Sequence, residues 1–267
     1  MIIIGEKING TIPSVGKAIA NRDSAWIADL AARQSEAGAS FIDVCASTDP
    51  SIEIETMRWL IDIVQSTTET PICIDSPNPH VIAAVLPDVS KPGLINSVSL
   101  EADKTEVIFP LIAETEWRCI ALLCDNNGIP QTADARLDIA RIIVDKAAAL
   151  GIAQERLYID PLVMALSTDD GTMTKFLACC HAIREAYPEA HITSGLSNIS
   201  FGLPLRKKVN QSFLVLAMGA GMDSAILDPL DRDMTASLLS TDALLEHDKH
   251  CRKYTNAYRQ GRIGTQQ

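Results

Sequence analysis

Short apolar runs recur along the chain at residues 2–4, 41–44, 72–74, 94–95, 119–123, 157–159, 192–196 and 224–227. Several are rich in Ile and Val and show no clean alternation. Strands buried on both faces of a parallel sheet read this way. Segments with helical spacing lie between them. Ser24 is placed to cap a helix carrying Trp26, Ile27, Leu30 and Ala31, with Gly38 to end it. Met57, Leu60, Ile61 and Val64 share one face of another. Thr132 is placed to cap a third, with Ala133, Leu137, Ala140, Val144 and Ala148 on one side and Gly151 as its stop. Phe176, Ala178, Cys179 and Ile183 predict a further helix. The stretch 213–221 is apolar all round and predicts a well-buried helix. Eight strands alternating with helices predict a single (β/α)8 TIM barrel, an α/β fold, over residues 1–260, with a loose tail at 261–267. An open doubly wound sheet is the competing fold. Its phosphate fingerprint is missing, because the first strand runs into Gly5-Glu-Lys-Ile-Asn9-Gly10.

Length agrees with one barrel, since 267 residues are close to the usual requirement of about 250. With aromatics at 4%, the core must be aliphatic. The formal charge of −11 argues against a nucleic-acid binder, which carries a basic face. Seven cysteines with no CxxC do not form a disulfide framework and fit a reducing cytoplasm. The residues starting at Met1 have no signal-peptide pattern, and no apolar stretch reaches the length of about 20 residues that spans a membrane. The expectation is a soluble cytoplasmic protein.

Polar residues follow nearly every apolar run: Glu6, Lys7 and Asn9 after the first, then Asp43, Asp75, Asn96, Asp125-Asn126, Asp160, Ser197-Asn198 and Asp228. In a barrel these positions converge on one mouth, where active sites sit. Asp and Asn also follow strands simply as turn formers and helix caps, so single positions are ambiguous. Taken together they predict a pocket of carboxylates and amides. HExxH, GxSxG and P-loop patterns are absent, and the five histidines fall away from the mouth, so no metal ligands are expected. Carboxylates facing N–H edges make strong paired hydrogen bonds, which suits a flat heterocycle such as a pterin or purine.

These motifs also carry a family resemblance. Gly5-Glu-Lys-Ile-Asn9-Gly10, Ile74-Asp75-Ser76, Ile95-Asn96-Ser97, Tyr158-Ile-Asp160-Pro161-Leu162 and Gly195-Leu-Ser-Asn198 occur in the order seen in the pterin-binding barrels. The chain most resembles the methyltetrahydrofolate:corrinoid methyltransferases, and more distantly the folate module of cobalamin-dependent methionine synthase. The resemblance implies methyl transfer between N5 of (methyl)tetrahydrofolate and the cobalt of a separate corrinoid protein, whose cobalamin this chain does not carry. It also implies a homodimer. By motif it assigns Asp75, Asn96 and Asp160 to the pterin ring, with Asp160 on the 2-amino and N3–H edge, and matches Asp43 to a family acid. Asn198 is assigned to N5, where an amide carbonyl favours the protonated ring nitrogen by hydrogen bonding. Arg206 matches a basic position and heads the cluster Arg206-Lys207-Lys208, a contact for the folate glutamate tail or the corrinoid partner, or else a solvated helix start.

Two positions depart from the family. Many relatives carry Asn where this chain has Cys45, and some carry Asn where it has Asp125. Cys45 is read as a packing residue rather than a reactive thiol. Two other readings share these residues. A dihydropteroate synthase has the same barrel and pterin site but needs a basic Ser-containing motif and a phosphate loop, and neither is evident. A non-catalytic folate-binding subunit is kept open by Cys45.

Overall fold

A computed structural model describes residues 1–264; of the tail expected at 261–267, residues 265–267 lie outside the described residues. The eight strands are β1 (Ile2–Asn9), β2 (Phe41–Cys45), β3 (Ile72–Asp75), β4 (Leu94–Leu100), β5 (Arg118–Asp125), β6 (Leu157–Asp160), β7 (His191–Ile192) and β8 (Ser224–Leu227). All pair in parallel, in the order β7-β6-β5-β4-β3-β2-β1-β8. A bridge between Gly195 and Ile226 closes the ring. The expected (β/α)8 barrel is therefore present. Strand β7 is shorter than the apolar run at 192–196, because the chain turns into a 3-10 helix (Leu196–Asn198) as it crosses to β8.

Among the described residues, ten helices surround the strands: α1 (Pro13–Ala20), α2 (Ser24–Glu36), α3 (Glu53–Thr67), α4 (Pro79–Val85), α5 (Lys104–Ile112), α6 (Ala133–Ala149), α7 (Thr172–Ala186), α8 (Arg206–Gly219), α9 (Arg232–Leu244) and α10 (Arg252–Arg259). Thr132 caps α6 as expected, accepting from the Ala135 N–H at 3.2 Å. Helix α2 is capped by Asp23 instead of Ser24: the Asp23 carboxylate accepts from the Trp26 N–H, and Ser24 is the first helical residue. The all-round burial expected near residue 213 is also corrected. Phe213, Leu214, Ala217 and Met218 face the barrel, while Val215 and Leu216 on α8 are exposed. Helical period allows only one face to reach the sheet.

Two apolar layers result. One lies between strands and helices and uses outward strand residues such as Ile42, Val44, Ile74 and Ile159. The other fills the barrel with Ile4, Phe41, Cys73, Leu94, Ile120 and Tyr158. Burial on both strand faces explains the missing alternation in the sequence. No helix among the described residues is long and apolar enough to cross a membrane.

Candidate active site

Side chains alternate along a strand, so the residue two beyond an inward apolar one also points inward. Above Ile4 stands Glu6, above Phe41 Asp43, above Cys73 Asp75, above Leu94 Asn96 and above Tyr158 Asp160. Strand β5 contributes an apolar residue, Leu122 above Ile120. The barrel interior thus ends in a layer of carboxyls and one amide, at the C-terminal ends of the strands.

Asp43 is 2% exposed and accepts from Asn96 Nδ2 at 3.4 Å. Burial, and then the charge of Asp75, push its carboxyl well above the usual carboxylate range, against hydrogen bonds from Cys73 and Asn96. Burial lifts Asp75 to about 6, helped by the Glu53 charge and opposed by the Cys45 thiol. Asp160 is 5% exposed. Burial lifts it to about 7, although the N–H groups of Leu162 and Gly195 and the Arg136 charge favour its ionised form. Its Oδ1 accepts from the Leu162 N–H at 2.8 Å. Acids crowded in a low-dielectric mouth resist ionisation together, and N–H groups donated by a ligand would favour their ionised forms.

Glu6 belongs to this layer and was missing from the assigned residues. Burial and the Asp228 charge lift it to about 7, opposed by Ser197, Lys7 and Arg206. Ser197 Oγ donates to Glu6 Oε1 at 3.3 Å, and Lys7 Nζ pairs with Asp228 Oδ2 at 3.0 Å. The signal for Glu6 was its spacing from Ile4 in the first apolar run.

Asn198 ends the 3-10 turn on the rim and is exposed. Its amide lies beside Gly195, where an added Cβ would come within 3.1 Å of Nδ2. The Gly195 N–H also favours the ionised form of Asp160, so the Asn198 turn and the Asp160 carboxyl meet at this glycine. Arg206 is exposed at the first turn of α8 and holds the same turn, donating from Nη2 to the Ser197 carbonyl at 2.8 Å and from Nε to Ser200 Oγ at 3.1 Å. It lines a cavity of about 250 Å³ with Glu6, Ser197, Asn210 and Asp228. Lys207 pairs with Asp231 at 2.9 Å, and Lys208 bonds Gln211.

Several polar strand-end residues bond loop backbone, in local turns or across to a neighbouring loop. Asp125 Oδ1 accepts from the Asn127 N–H at 2.8 Å, Asn126 Oδ1 from the Ala102 N–H at 2.9 Å, and Asn9 Oδ1 from the Thr11 N–H at 3.0 Å. Cys45 is buried, with Sγ 3.1 Å from Ser47 Oγ. Burial, reinforced by Asp75, holds it as a neutral thiol far above its ordinary range.

A ring of inward acids at a barrel mouth matches one family along most of the chain: the model of the pterin binding enzymes covers residues 5–228. The chain belongs to the pterin-binding enzymes. Within that family it is 53% identical over 266 residues to a methylcorrinoid:tetrahydrofolate methyltransferase from Eubacterium limosum, covering 99% of this chain and 98% of the relative. This bears out the resemblance read from the motifs and the expectation of a methyltransferase. The chain is also 30% identical over 242 residues, 85% of its length, to methionine synthase from Mycobacterium tuberculosis, of which it spans 20%. Among solved structures, dihydropteroate synthase from Xanthomonas albilineans in complex with 7,8-dihydropteroate superposes with a TM-score of 0.63 at 19% identity, over 92% of both chains. At that identity the likeness concerns the pterin-binding fold alone.

Proposed function

We propose that this enzyme transfers a methyl group between a corrinoid carried by a separate protein and N5 of tetrahydrofolate, with the pterin seated on the acidic layer of the mouth. Full-length identity of 53% to the methylcorrinoid:tetrahydrofolate methyltransferase is the observation that carries this reading. The donor set supports it chemically. A reduced pterin offers an N3–H, a 2-amino group and further ring N–H groups, and the mouth offers acceptors at Asp43, Asp75 and Asp160 with an amide at Asn96. Asp160 takes the 2-amino and N3–H edge, where one carboxylate accepts two parallel bonds.

In the direction that the relative's name gives, the N5 lone pair of tetrahydrofolate attacks the methyl carbon. The carbon–cobalt bond breaks with its electron pair left on the metal, and the N5 proton departs. Asn198 presents its carbonyl to that N–H and orients the lone pair. Glu6 accepts the proton, linked to the Asn198 turn through Ser197. A group titrating near 7 is matched to this task. In reverse, the same residues return a proton to N5, which a tertiary amine needs before it can leave.

Arg206 sits between the turn and the cavity and serves the anionic glutamate tail of folate. The enzyme works in the cytoplasm as a homodimer. All seven cysteines are free thiols, and α8 exposes Val215 and Leu216, 41% and 54% exposed, beyond its basic first turn.

Anaerobic spectra of methylcobalamin mixed with tetrahydrofolate and enzyme test the proposal. Expected are loss of the methylcobalamin band, growth of Co(I), and formation of 5-methyltetrahydrofolate. Folate binding without methyl transfer in either direction would leave a binding subunit. Release of pteroate from a pterin pyrophosphate and p-aminobenzoate would make it a synthase instead.

A further inference from the structure

Arg136 lies in the first turn of α6 and is fully buried, the largest side chain so enclosed. A buried guanidinium costs several kcal/mol unless its donors and charge are satisfied, so its partners show what it is for. Nε donates to the Pro130 carbonyl at 2.8 Å. Nη1 donates to the Pro161 carbonyl at 2.8 Å and the Leu162 carbonyl at 3.0 Å. Pro130 belongs to the loop after β5, and Pro161 and Leu162 follow β6 directly. Both loops leave the C-terminal ends of their strands. Arg136 therefore ties two walls of the mouth together from below.

The contact to Leu162 reaches the site. Leu162 takes a left-handed conformation, φ 64°, which a branched side chain resists by roughly 1–2 kcal/mol. Two bonds hold it there: its carbonyl accepts from Arg136, and its N–H donates to Asp160 Oδ1 at 2.8 Å. The turn Asp160-Pro161-Leu162 is thus closed on one side by the guanidinium and on the other by the carboxyl. The groups that face Asp160 are the Leu162 N–H after β6, the Gly195 N–H after β7, the Arg136 charge on α6 and the Cys180 thiol on α7. Arg136 is the cation among them.

We propose that Arg136 is a positioning residue for pterin recognition, which braces the turn behind Asp160 and supplies the positive charge that this carboxylate faces. The inference rests on the placement of the pterin against Asp160 given above. Lysine is a poor substitute, because a point charge cannot span the Pro130, Pro161 and Leu162 carbonyls at once. Nη2 is buried without a partner, so the bonds from Nε and Nη1 to the three carbonyls are the ones that fix the guanidinium.

The test compares Arg136→Lys, Arg136→Gln, Asp160→Asn and the two double variants in the full-length enzyme. Tetrahydrofolate dissociation constants are measured anaerobically from pH 5 to 9, and melting temperatures separately. Arg136→Lys keeps the charge and loses the fork, so affinity falls about tenfold, the scale of one well-aligned bond to a charged group, at an unchanged pH midpoint. Arg136→Gln also removes the charge, so its binding midpoint moves to higher pH. Neither change weakens binding further in the Asp160→Asn background, although the melting temperatures still drop. If Arg136→Gln does not fold, the Arg136→Lys cycle decides alone. Wild-type affinity in folded Arg136→Lys, or an equal loss with and without Asp160, would overturn the role of Arg136 and leave a structural brace. Wild-type affinity in Asp160→Asn would overturn the placement of the pterin on Asp160 instead, and with it the part of Arg136 in recognition.

Discussion

Replacing Asp160 by Asn is expected to move stability and folate affinity in opposite directions. Burial holds the folded carboxyl near 7 against an ordinary value of 3.8. A carboxyl raised on folding contributes no penalty below its unfolded value. The penalty grows between 3.8 and about 7 and is complete above that. At about 1.4 kcal/mol for each pH unit in that window, the full cost approaches roughly 4 kcal/mol at pH 8, and roughly 1.6 of it is already present at pH 5. Asn carries no charge at either pH, and its carbonyl still accepts from the Leu162 N–H. Its stability relative to wild type should therefore be greater at pH 8 than at pH 5 by roughly 2–3 kcal/mol. Affinity moves the other way. Two charge-assisted bonds to the pterin are lost, which corresponds to a drop on the order of 100-fold in tetrahydrofolate binding at pH 8.

Urea unfolding of both proteins without ligand, at pH 5 and pH 8 and one ionic strength, measures the first quantity. Equal slopes against urea keep the comparison valid. Calorimetric titration with tetrahydrofolate measures the second. A stability difference independent of pH would refute the claim that the buried carboxyl resists ionisation. Unchanged affinity would refute its role in binding.

Asn198→Ala should lower kcat for methyl transfer by about 10- to 100-fold while KM for tetrahydrofolate stays within a few-fold, whereas equal losses in both would make it an ordinary binding residue. Glu6→Gln should remove the acid limb of the kcat profile: in the wild type, Glu6 must be ionised to accept the N5 proton, so kcat rises with pH through about 7. Asp160 is not expected to contribute to that limb, because the pterin proposed to sit on it would keep it ionised. A Glu6→Gln profile with the same limb would move the base elsewhere. Leu216→Glu places a charge on the exposed face of α8 and should yield a folded monomer by light scattering at micromolar concentration; a dimer of wild-type affinity would put the interface on another face.

The barrel was readable because its strands are buried on both sides. Apolar runs without alternation marked them, and the spacing of Asp and Asn after each run marked the mouth. The same spacing could not separate pocket residues from turn formers. Asp160 and Asp125 both end a strand and both accept from the N–H two residues on, yet Asp160 stands two residues above inward Tyr158, while Asp125 lies five beyond inward Ile120 and so on the other strand face. The distinction lies in strand parity relative to the barrel axis, and continuous apolar runs conceal parity. Glu6 was passed over for a related reason, since it precedes Lys7 and Asn9 in one polar cluster and only Ile4 fixes its direction. Arg136 gave no signal at all. It occupies a helix position where a solvated Arg is ordinary, and its burial follows from two loops that meet only in three dimensions. The α8 error had another origin: the mean hydropathy of 213–221 hides the split between Phe213 and Leu214 facing the barrel and Val215 and Leu216 facing out.

The proposed seating on the acidic layer also accounts for a flat ring in a site with few aromatics. Without ligand, Glu6, Asp43, Asp75 and Asp160 all resist ionisation, chiefly because burial removes water from their charges. On the proposed placement, a pterin that donates N–H groups to Asp43, Asp75 and Asp160 restores what water would have supplied. The folded chain therefore carries an electrostatic cost that ligand relieves, and part of the binding energy comes from that relief and not from new contact area. The apolar layer below, Phe41 and Tyr158 edge to face at 6.3 Å, gives the acids a rigid floor and keeps water from reaching them. Stability and recognition are thus set against each other at the same carboxyls. In the role proposed for it, Arg136 eases the conflict at Asp160 by placing a fixed charge behind the carboxyl, where it favours ionisation without occupying the proposed ligand face.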